Sequence, residues 1–555
     1  MARLLCAFAL LATGCAPSAP VPDDWIQQTW TISNWPLPEA QRARFSVEVN
    51  GVWVGRTPEE IAAEHRRGRP ALVSVQGLAA EAELLEERPE LVEALSRDVF
   101  GNISRVPWYD WLEEPVSTLS IAHPVFQDYL VEQGREAVAA GADGLFIDEI
   151  QTSALLVSLE EFGAGFAPVE VAAFLEASGH ATFEDYAAVE LGLTPEGGLP
   201  AFLASTDAAQ ANERAALYAR YRAFQEEHAF AAMSAVVARI RADATAEGSS
   251  IAVGANLAGL GALTDWSPLT APIWQDSMDF IVFEHDPPTL QAAFAPYYQL
   301  GKATLPGMVA AMPGLTLSDT LNAGGGHAGW LQMAYAEALA YEGNWAVSYW
   351  TEEMGWATNA LLPEGLRASM RFVTDHKDLF DGARPPQAVG LRYPNAEVLA
   401  DPSVHAAWVA TAEALLAAHV PFDVLYSGDA RFVATEPDVA PYALVLAPGD
   451  PVPADAPGAI ETADLVFATS YLRDGQPGPV LHLVNRGYDE ATDAVPRITE
   501  LSVSLPADVG WPATGEARVL APGTDDRSIS WTLDGGRLRL TVPQLDSWAV
   551  VVISL

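Results

Sequence analysis

The chain has 555 residues, half of them apolar and 19% charged. That excludes a disordered or fibrous protein, and it is too long for one hydrophobic core, so about two to four domains are expected. With 73 acidic against 30 basic residues the net charge is −43, which argues against a DNA or RNA partner and otherwise fits solubility or a salty medium.

Residues 1–15 read as an export signal. MAR supplies a positive charge and LLCAFALLA a short apolar core, well under the roughly 20 residues a membrane span needs. LATGC resembles a bacterial lipoprotein signal, with Ala12 where leucine is usual. The resemblance implies cleavage before Cys15, a lipid on its thiol, and an exported protein that meets the membrane through that anchor only. The competing reading is an ordinary signal peptide with a chance cysteine. Residues 16–24 then form a flexible tether. The other cysteine, Cys6, lies inside the signal, so the mature chain holds no internal disulfide and must rely on packed cores.

From 25 to 385, apolar runs alternate with helical patterns. The expected strands are TWTIS (29–33), ALVSV (71–75), a weaker one near DVFGN (98–102), GLFID (144–148), SIAVGAN (250–256), DFIVFE (279–284), ATLPGMVA (303–310) and NWAVSYW (344–350). The helix between the third and fourth is VFQDYLVEQGREAVAAG (125–141), with Phe126, Tyr129, Leu130, Ala137 and Val138 at helical spacing. Eight strand–helix units predict a (β/α)8 TIM barrel. An insertion at 154–248 contains a long helix, roughly Ala208 to Glu247; a loop after a barrel strand sits on the catalytic face, so it walls or roofs the site.

RPP at 384–386 breaks the chain. Residues 386–458 then read strand, helix, strand, strand, a small α/β module. It resembles the amidotransferase-like domain that follows the barrel in some β-galactosidases, without the amidotransferase cysteine, which implies a structural role. Residues 459–555 are short strands joined by Gly, Pro and Asp turns, including DGG at 534–536, and predict an antiparallel β-sandwich. VLHLVN resembles the C-terminal sandwich of many glycosidases.

Chemistry is sought where apolar strands end in acids. GLFID runs straight into Asp148 and Glu149, and an unpaired buried charge is costly without a use. Period-two alternation puts Phe146 with Asp148 on one face and Ile147 with Glu149 on the other, and does not choose between them. DFIVFE ends in Glu284, followed by His285 and Asp286; AVSYWTEE carries Glu352 and Glu353 past Trp350. Two carboxyl groups flanking one bond are what glycosidic cleavage needs. The competing readings are an ion pair for Asp148–Glu149 and a solvated rim acid for Glu284.

GADGLFIDE resembles the fourth-strand signature of retaining (β/α)8-barrel glycoside hydrolases, the dextranase-type and α-galactosidase-type plan, where G-x-D-G-hydrophobic-x-D ends in an Asp nucleophile. The resemblance implies Asp148 as nucleophile and Glu284 as acid/base. Glu149, directly after the Asp, departs from the pattern and leaves open which member is catalytic.

Sugar rings stack their CH faces on aromatic side chains. Trp35, Asn256, His285 and Trp350 stand at expected strand ends, Trp108, Tyr109 and Asp110 in the loop after the third strand and Glu352 later in the loop after the eighth, and together they make the candidate substrate-binding set. Each aromatic alone is as well explained by packing. His327 in GGGHAGW is a further hydroxyl contact in a loop. No HExxH or Cys-His pattern and no GxSxG elbow appear, so neither a metal nor another cofactor is expected, and a serine hydrolase is not. The function expected is thus an exported glycoside hydrolase acting on an oligo- or polysaccharide. The alternatives are a non-catalytic carbohydrate-binding surface lipoprotein on the same scaffold and a barrel enzyme of another class.

Overall fold

A computed structural model of the chain describes residues 25–28, 31–33, 57–66, 68–109, 114–150, 153–154, 163–195, 197–257, 277–285, 289–305, 307–313, 327–347, 364–384, 388–401, 403–427, 436–473, 478–507 and 511–555. The signal stretch with Cys15, the tether 16–24, Trp35, Asp110, Trp350 and Glu352 lie outside these residues, and so do the side chains of Trp108 and His285.

The sheet that positions the site is parallel. Its strands are β1 (Thr31–Ser33) and β2 (Leu72–Gln76) and, after a short antiparallel pair β3 (Ala79–Ala80) and β4 (Ser117–Thr118), β5 (Gly144–Asp148), β6 (Ala252–Leu257), β7 (Phe280–His285), β8 (Val309–Pro313) and β9 (Asn344–Val347). Among the described residues the sheet has seven strands in the order β1-β9-β8-β7-β6-β5-β2. Neighbours follow chain order, and the last strand pairs with the first, Thr31 opposite Trp345 and Ser33 opposite Val347. That is the succession of a sheet curling toward closure, as in a barrel.

The strands read as continuous apolar runs because both faces are covered. One face carries Leu72, Phe146, Phe280, Val282, Met308, Ala310, Met312 and Ala346 in an inner cluster, which Trp25 joins with its ring 5.9 Å from that of Phe280. The other face, with Leu145, Ile147, Val253, Ile281 and Phe283, packs against Leu130, Val131 and Ala137 of the helix Pro124–Ala139 and against the other outer helices. Gly254 is needed on the inner face: a Cβ there would stand 2.2 Å from the Phe280 ring.

Two strand expectations are corrected. DVFGN is a turn, not a strand. The Asp98 carboxylate accepts from the backbone N–H groups of Phe100 and Asn102 at 2.9 and 2.8 Å, Gly101 takes φ 84°, and Phe100 is 76% exposed. β2 pairs directly with β5, from Leu72 opposite Gly144 to Gln76 opposite Asp148, so no strand lies between them. In ATLPGMVA, Ala303 and Thr304 end the helix Ala295–Thr304, and the strand starts only at Val309.

The insertion carries the helices Pro168–Ala177, Phe183–Tyr186 and Leu199–Leu203 and the 36-residue helix Ala211–Ala246. That helix serves two cores. Met233, Val236, Val237, Ile240 and Ala244 belong to the outer core of the parallel sheet, while Leu217 and Tyr221 join Phe166, Phe174, Phe183 and Phe202 in a core of the insertion's own.

β10 (Ala383–Arg384) is followed by β11 (Val389–Pro394), β12 (Asp423–Ser427) and β13 (Leu444–Leu446); these last three form a parallel sheet in the order β12-β11-β13, with the helix Ser403–Ala417 between β11 and β12. β14 (Val466–Arg473), β15 (Val480–Asn485), β16 (Ile498–Pro506), β17 (Thr514–Leu520), β18 (Arg527–Asp534), β19 (Arg537–Leu545) and β20 (Trp548–Ile553) follow. The expected sandwich is instead one eight-stranded antiparallel sheet, β10-β14-β15-β20-β17-β18-β19-β16, curled around Trp531, Leu501, Leu538 and Val551. Gly535 and Gly536, at φ 59° and 77°, make its tightest hairpin between β18 and β19, as a two-residue loop requires.

The C-terminal sheet is tied to the barrel-like sheet by a buried ion pair between Arg486 and Glu337, whose Oε1 also accepts from the Phe294 and Ala295 N–H groups at 2.7 Å each. His327 belongs to this junction. It precedes the helix Ala328–Ala340, its Nδ1 lies 2.7 Å from the Tyr488 hydroxyl, and Asp493 accepts from the first N–H groups of that helix. An interdomain cap therefore replaces the expected hydroxyl contact.

Candidate functional site

Parity along the strands builds the site. Inner-face positions alternate Leu72, Ser74, Gln76 on β2; Phe146, Asp148 on β5; Ala252, Gly254, Asn256 on β6; and Phe280, Val282, Glu284 on β7. Toward the N-terminal ends this face is apolar. At the C-terminal ends it becomes a polar layer of Gln76, Asp148, Asn256 and Glu284.

The layer is bonded through its amides. Gln76 donates from Nε2 to Oδ2 of Asp148 at 2.7 Å. Asn256 donates from Nδ2 to Oδ1 of Asp148 at 3.1 Å and to Oε1 of Glu284 at 2.9 Å. Both bonds leave one nitrogen, so those two oxygens stand no more than about 6 Å apart. The structure thus brings together Asp148, Glu284 and Asn256, three of the residues singled out in the sequence.

Asp148 is 5% exposed. Burial pushes its carboxyl up to about 6, against the opposing hydrogen bonds from Asn256, Gln76 and the Glu149 backbone. Glu149 is 8% exposed and lies beyond the strand with φ 53°, a left-handed backbone that costs a side-chain-bearing residue about 1–2 kcal/mol. The chain turns there under tight contact: Gly77 donates to the Asp148 carbonyl at 2.7 Å, and a Cβ on Gly77 would lie 2.8 Å from that oxygen.

Tyr109 follows from the short helical turn Pro107–Tyr109 and faces the same acids. Its hydroxyl is 3.4 Å from Nε2 of Gln76. Burial, with the charges of Glu149, Asp148 and Glu284, holds it well above the usual phenol range, so it stays a neutral hydrogen-bond donor.

Gln76 was not singled out in the sequence. Its signal was available: a polar residue two positions past Ser74, ending an apolar strand, in phase with Leu72. Among the described residues no group of three or more His, Cys, Asp or Glu side chains is arranged to hold a metal ion.

No protein-family model matches the chain, and neither does any curated protein sequence. Its similarity to known proteins is structural. The α-L-fucosidase isoenzyme 2 from Paenibacillus thiaminolyticus superimposes with a TM-score of 0.58 over 95% of this chain and 100% of its own, at 13% identity. A family 42 β-galactosidase from G. stearothermophilus gives 0.55 over 95% and 100%, at 10% identity. A cycloisomaltooligosaccharide glucanotransferase from Paenibacillus sp. gives 0.54 over 95% and 85%, also at 10% identity. The chain shares the fold of these carbohydrate-active enzymes along nearly its whole length.

Proposed function

We propose that the protein is a glycoside hydrolase in which Asp148 attacks the anomeric carbon and Glu284 first protonates the leaving oxygen and then activates water. The observation that carries this reading is the amide of Asn256, which holds one oxygen of each carboxyl within hydrogen-bonding reach at the open ends of two parallel strands. Retaining enzymes place their carboxyl groups about 5–5.5 Å apart and inverting ones about 6.5–9.5 Å. A bound of about 6 Å between the bridged oxygens favours the retaining arrangement and therefore a glycosyl–enzyme ester on Asp148.

The neighbouring groups fit these roles. Asn256 and Gln76 orient the Asp148 carboxylate and spread its charge before attack. The neutral Tyr109 hydroxyl, beside Gln76 and within the field of Glu149, Asp148 and Glu284, adds a donor to the site. At neutral pH a carboxyl near 6 is mostly ionised, as a nucleophile must be. The structural neighbours, acting on fucosides, galactosides and glucans by their names, support a carbohydrate substrate at the level of fold. In the same reading the middle module is an amidotransferase-like domain with a structural role, and the chain is exported and held at the membrane by a lipid on Cys15.

The test is a panel of aryl glycosides and polysaccharides incubated with purified protein, the first-formed anomer being followed by proton NMR. Hydrolysis with retained configuration is expected. Inversion would overturn the assignment of Asp148 as nucleophile, and glycan binding with no product from any member would favour a carbohydrate-binding protein instead.

A further inference from the structure

A cavity of about 240 Å³ lies away from the acids, where three parts of the fold meet. Its lining comes from the C-terminal end of the helix Ala295–Thr304, from Tyr341 just before β9, from the start of β12, from Tyr442 before β13, and from β14. These segments flank the N-terminal ends of the parallel strands. Asp148 and Glu284 stand at the C-terminal ends, so a molecule in the cavity is not in position to be cleaved by them.

The polar groups in it have capacity to spare. Lys302 is half-buried, and its Nζ donates to the Gly307 carbonyl at 3.3 Å, with no acidic oxygen at ion-pair distance among the described residues. An ammonium carries three donors, so two are open. Asp423 accepts from the Tyr442 hydroxyl at 2.9 Å through Oδ2, and its Oδ1 takes no hydrogen bond among the described residues. Gln299 spends its Nε2 on the Phe422 carbonyl at 3.1 Å, while its buried Oε1 has no partner. Burial pushes Lys302 down against the opposing charges of Glu342, which also lines the cavity, and Asp381, and it pushes Asp423 up against the hydrogen bond from Tyr442.

Open donors beside open acceptors suit a group that does both, which is what a hydroxyl does. A simple anion would meet Asp423 and Glu342, and a simple cation would meet Lys302. The rings of Tyr341, Phe422 and Tyr442 add flat apolar surface. The volume is below the roughly 300–1,000 Å³ of sites for drug-sized ligands, which limits the occupant to about one small ring. We propose that this cavity is a second, non-catalytic binding site for a neutral polyhydroxylated molecule of monosaccharide size, gripped between Lys302 and Asp423. The site stands independently of the hydrolase reading.

Lys302 offers a direct probe, because the sequence contains one other lysine, Lys377. Protein labelled with [13Cε]lysine should show two lysine signals, assigned with a Lys377→Arg variant. It would be titrated with glucose, galactose, fucose and myo-inositol in turn. At least one probe is expected to shift the Lys302 signal saturably and leave Lys377 unmoved. The affinity should weaken roughly tenfold or more in Asp423→Asn and in Tyr442→Phe, while Asp148→Asn binds as wild type. An unmoved Lys377 signal shows that each variant is folded. The proposal fails if no probe shifts Lys302, if the shift survives both cavity substitutions, or if Asp148→Asn abolishes it.

Discussion

Asn256 donates to Asp148 at 3.1 Å, and the nitrogen that does so also reaches Glu284 at 2.9 Å. One neutral amide thus fixes the spacing of two carboxyl groups that would otherwise repel each other. Replacing Asn256 by Ala removes both bonds and leaves the apolar layer beneath untouched. The expected loss in kcat/KM is roughly 10²–10³-fold, the scale seen when one preorganised donor is deleted from a reacting site. Thermal unfolding of the variant should stay close to wild type. A loss below about threefold would show that the bridge does not organise catalysis.

Asp148 gives a pH dependence whose sign is fixed. As nucleophile it must be ionised, so kcat/KM should fall as pH drops through about 6 and level off above it. Its effect on stability runs the other way. A carboxyl held near 6 in the fold and near 3.9 unfolded binds its proton more tightly when folded, so its favourable contribution is complete below the unfolded value and lost as pH rises through about 6. Asp148→Asn, which cannot ionise, should therefore be more stable than wild type at pH 7 by an amount on the order of 1–3 kcal/mol, and the gain should fade below about pH 4. Chemical denaturation at the two pH values checks this.

Much of this site is readable from residue order. GLFID and DFIVFE stand out because parallel strands are buried on both faces, where a terminal acid is costly unless it is paired, solvated or used. The same double burial hid the choice between Asp148 and Glu149: Phe146 and Ile147 are equally apolar, so hydropathy could not say which lines the inner face. The sheet settles that parity by grouping Phe146 with Phe280 and Met312 inside and Ile147 with the helix-facing residues. Gln76 escaped notice because a neutral amide at a strand end looks like the start of a loop. DVFGN misled for the opposite reason, since Val99 and Phe100 look like a strand while Asp98 and Gly101 close a turn. Val99 is buried all the same, but in the insertion's core.

Glu149 separates strain from chemistry. With φ 53° it occupies backbone space that glycine takes freely. Glu149→Gly is expected to leave stability unchanged or raise it by about 1 kcal/mol, and to retain activity within about tenfold if Asp148 is the attacking group. Loss comparable to that of Asp148→Asn would make Glu149 the active member of the pair.

Gly77 tests the packing behind the acids. A Cβ there meets the carbonyl oxygens of Asp148 at 2.8 Å and Glu149 at 3.0 Å, both backbone atoms that cannot swing away. Gly77→Ala should therefore displace the end of β5, cost about 1–3 kcal/mol, and lower kcat more than that instability explains at temperatures where the protein is fully folded. Unchanged kcat would mean that the strand end tolerates the shift.

The ion pair that fastens the C-terminal sheet is buried on both sides, with Arg486 at 7% and Glu337 at 0% side-chain exposure. Arg486→Met leaves Glu337 charged and uncompensated, and should destabilise the protein by about 3–5 kcal/mol in denaturant titrations. Restoring neutrality with Glu337→Gln in the same chain should recover part of that loss.

The central claim is that Asp148 and Glu284 share one glycosidic bond. It is tested most directly by the single-turnover rate on a cleavable aryl glycoside for wild type, Asp148→Asn and Glu284→Gln, each shown to be folded. Asp148→Asn is predicted to lose at least about 10⁴-fold in bond cleavage, and Glu284→Gln to lose less on substrates whose leaving group needs no proton. Turnover by Asp148→Asn within tenfold of wild type would contradict the account.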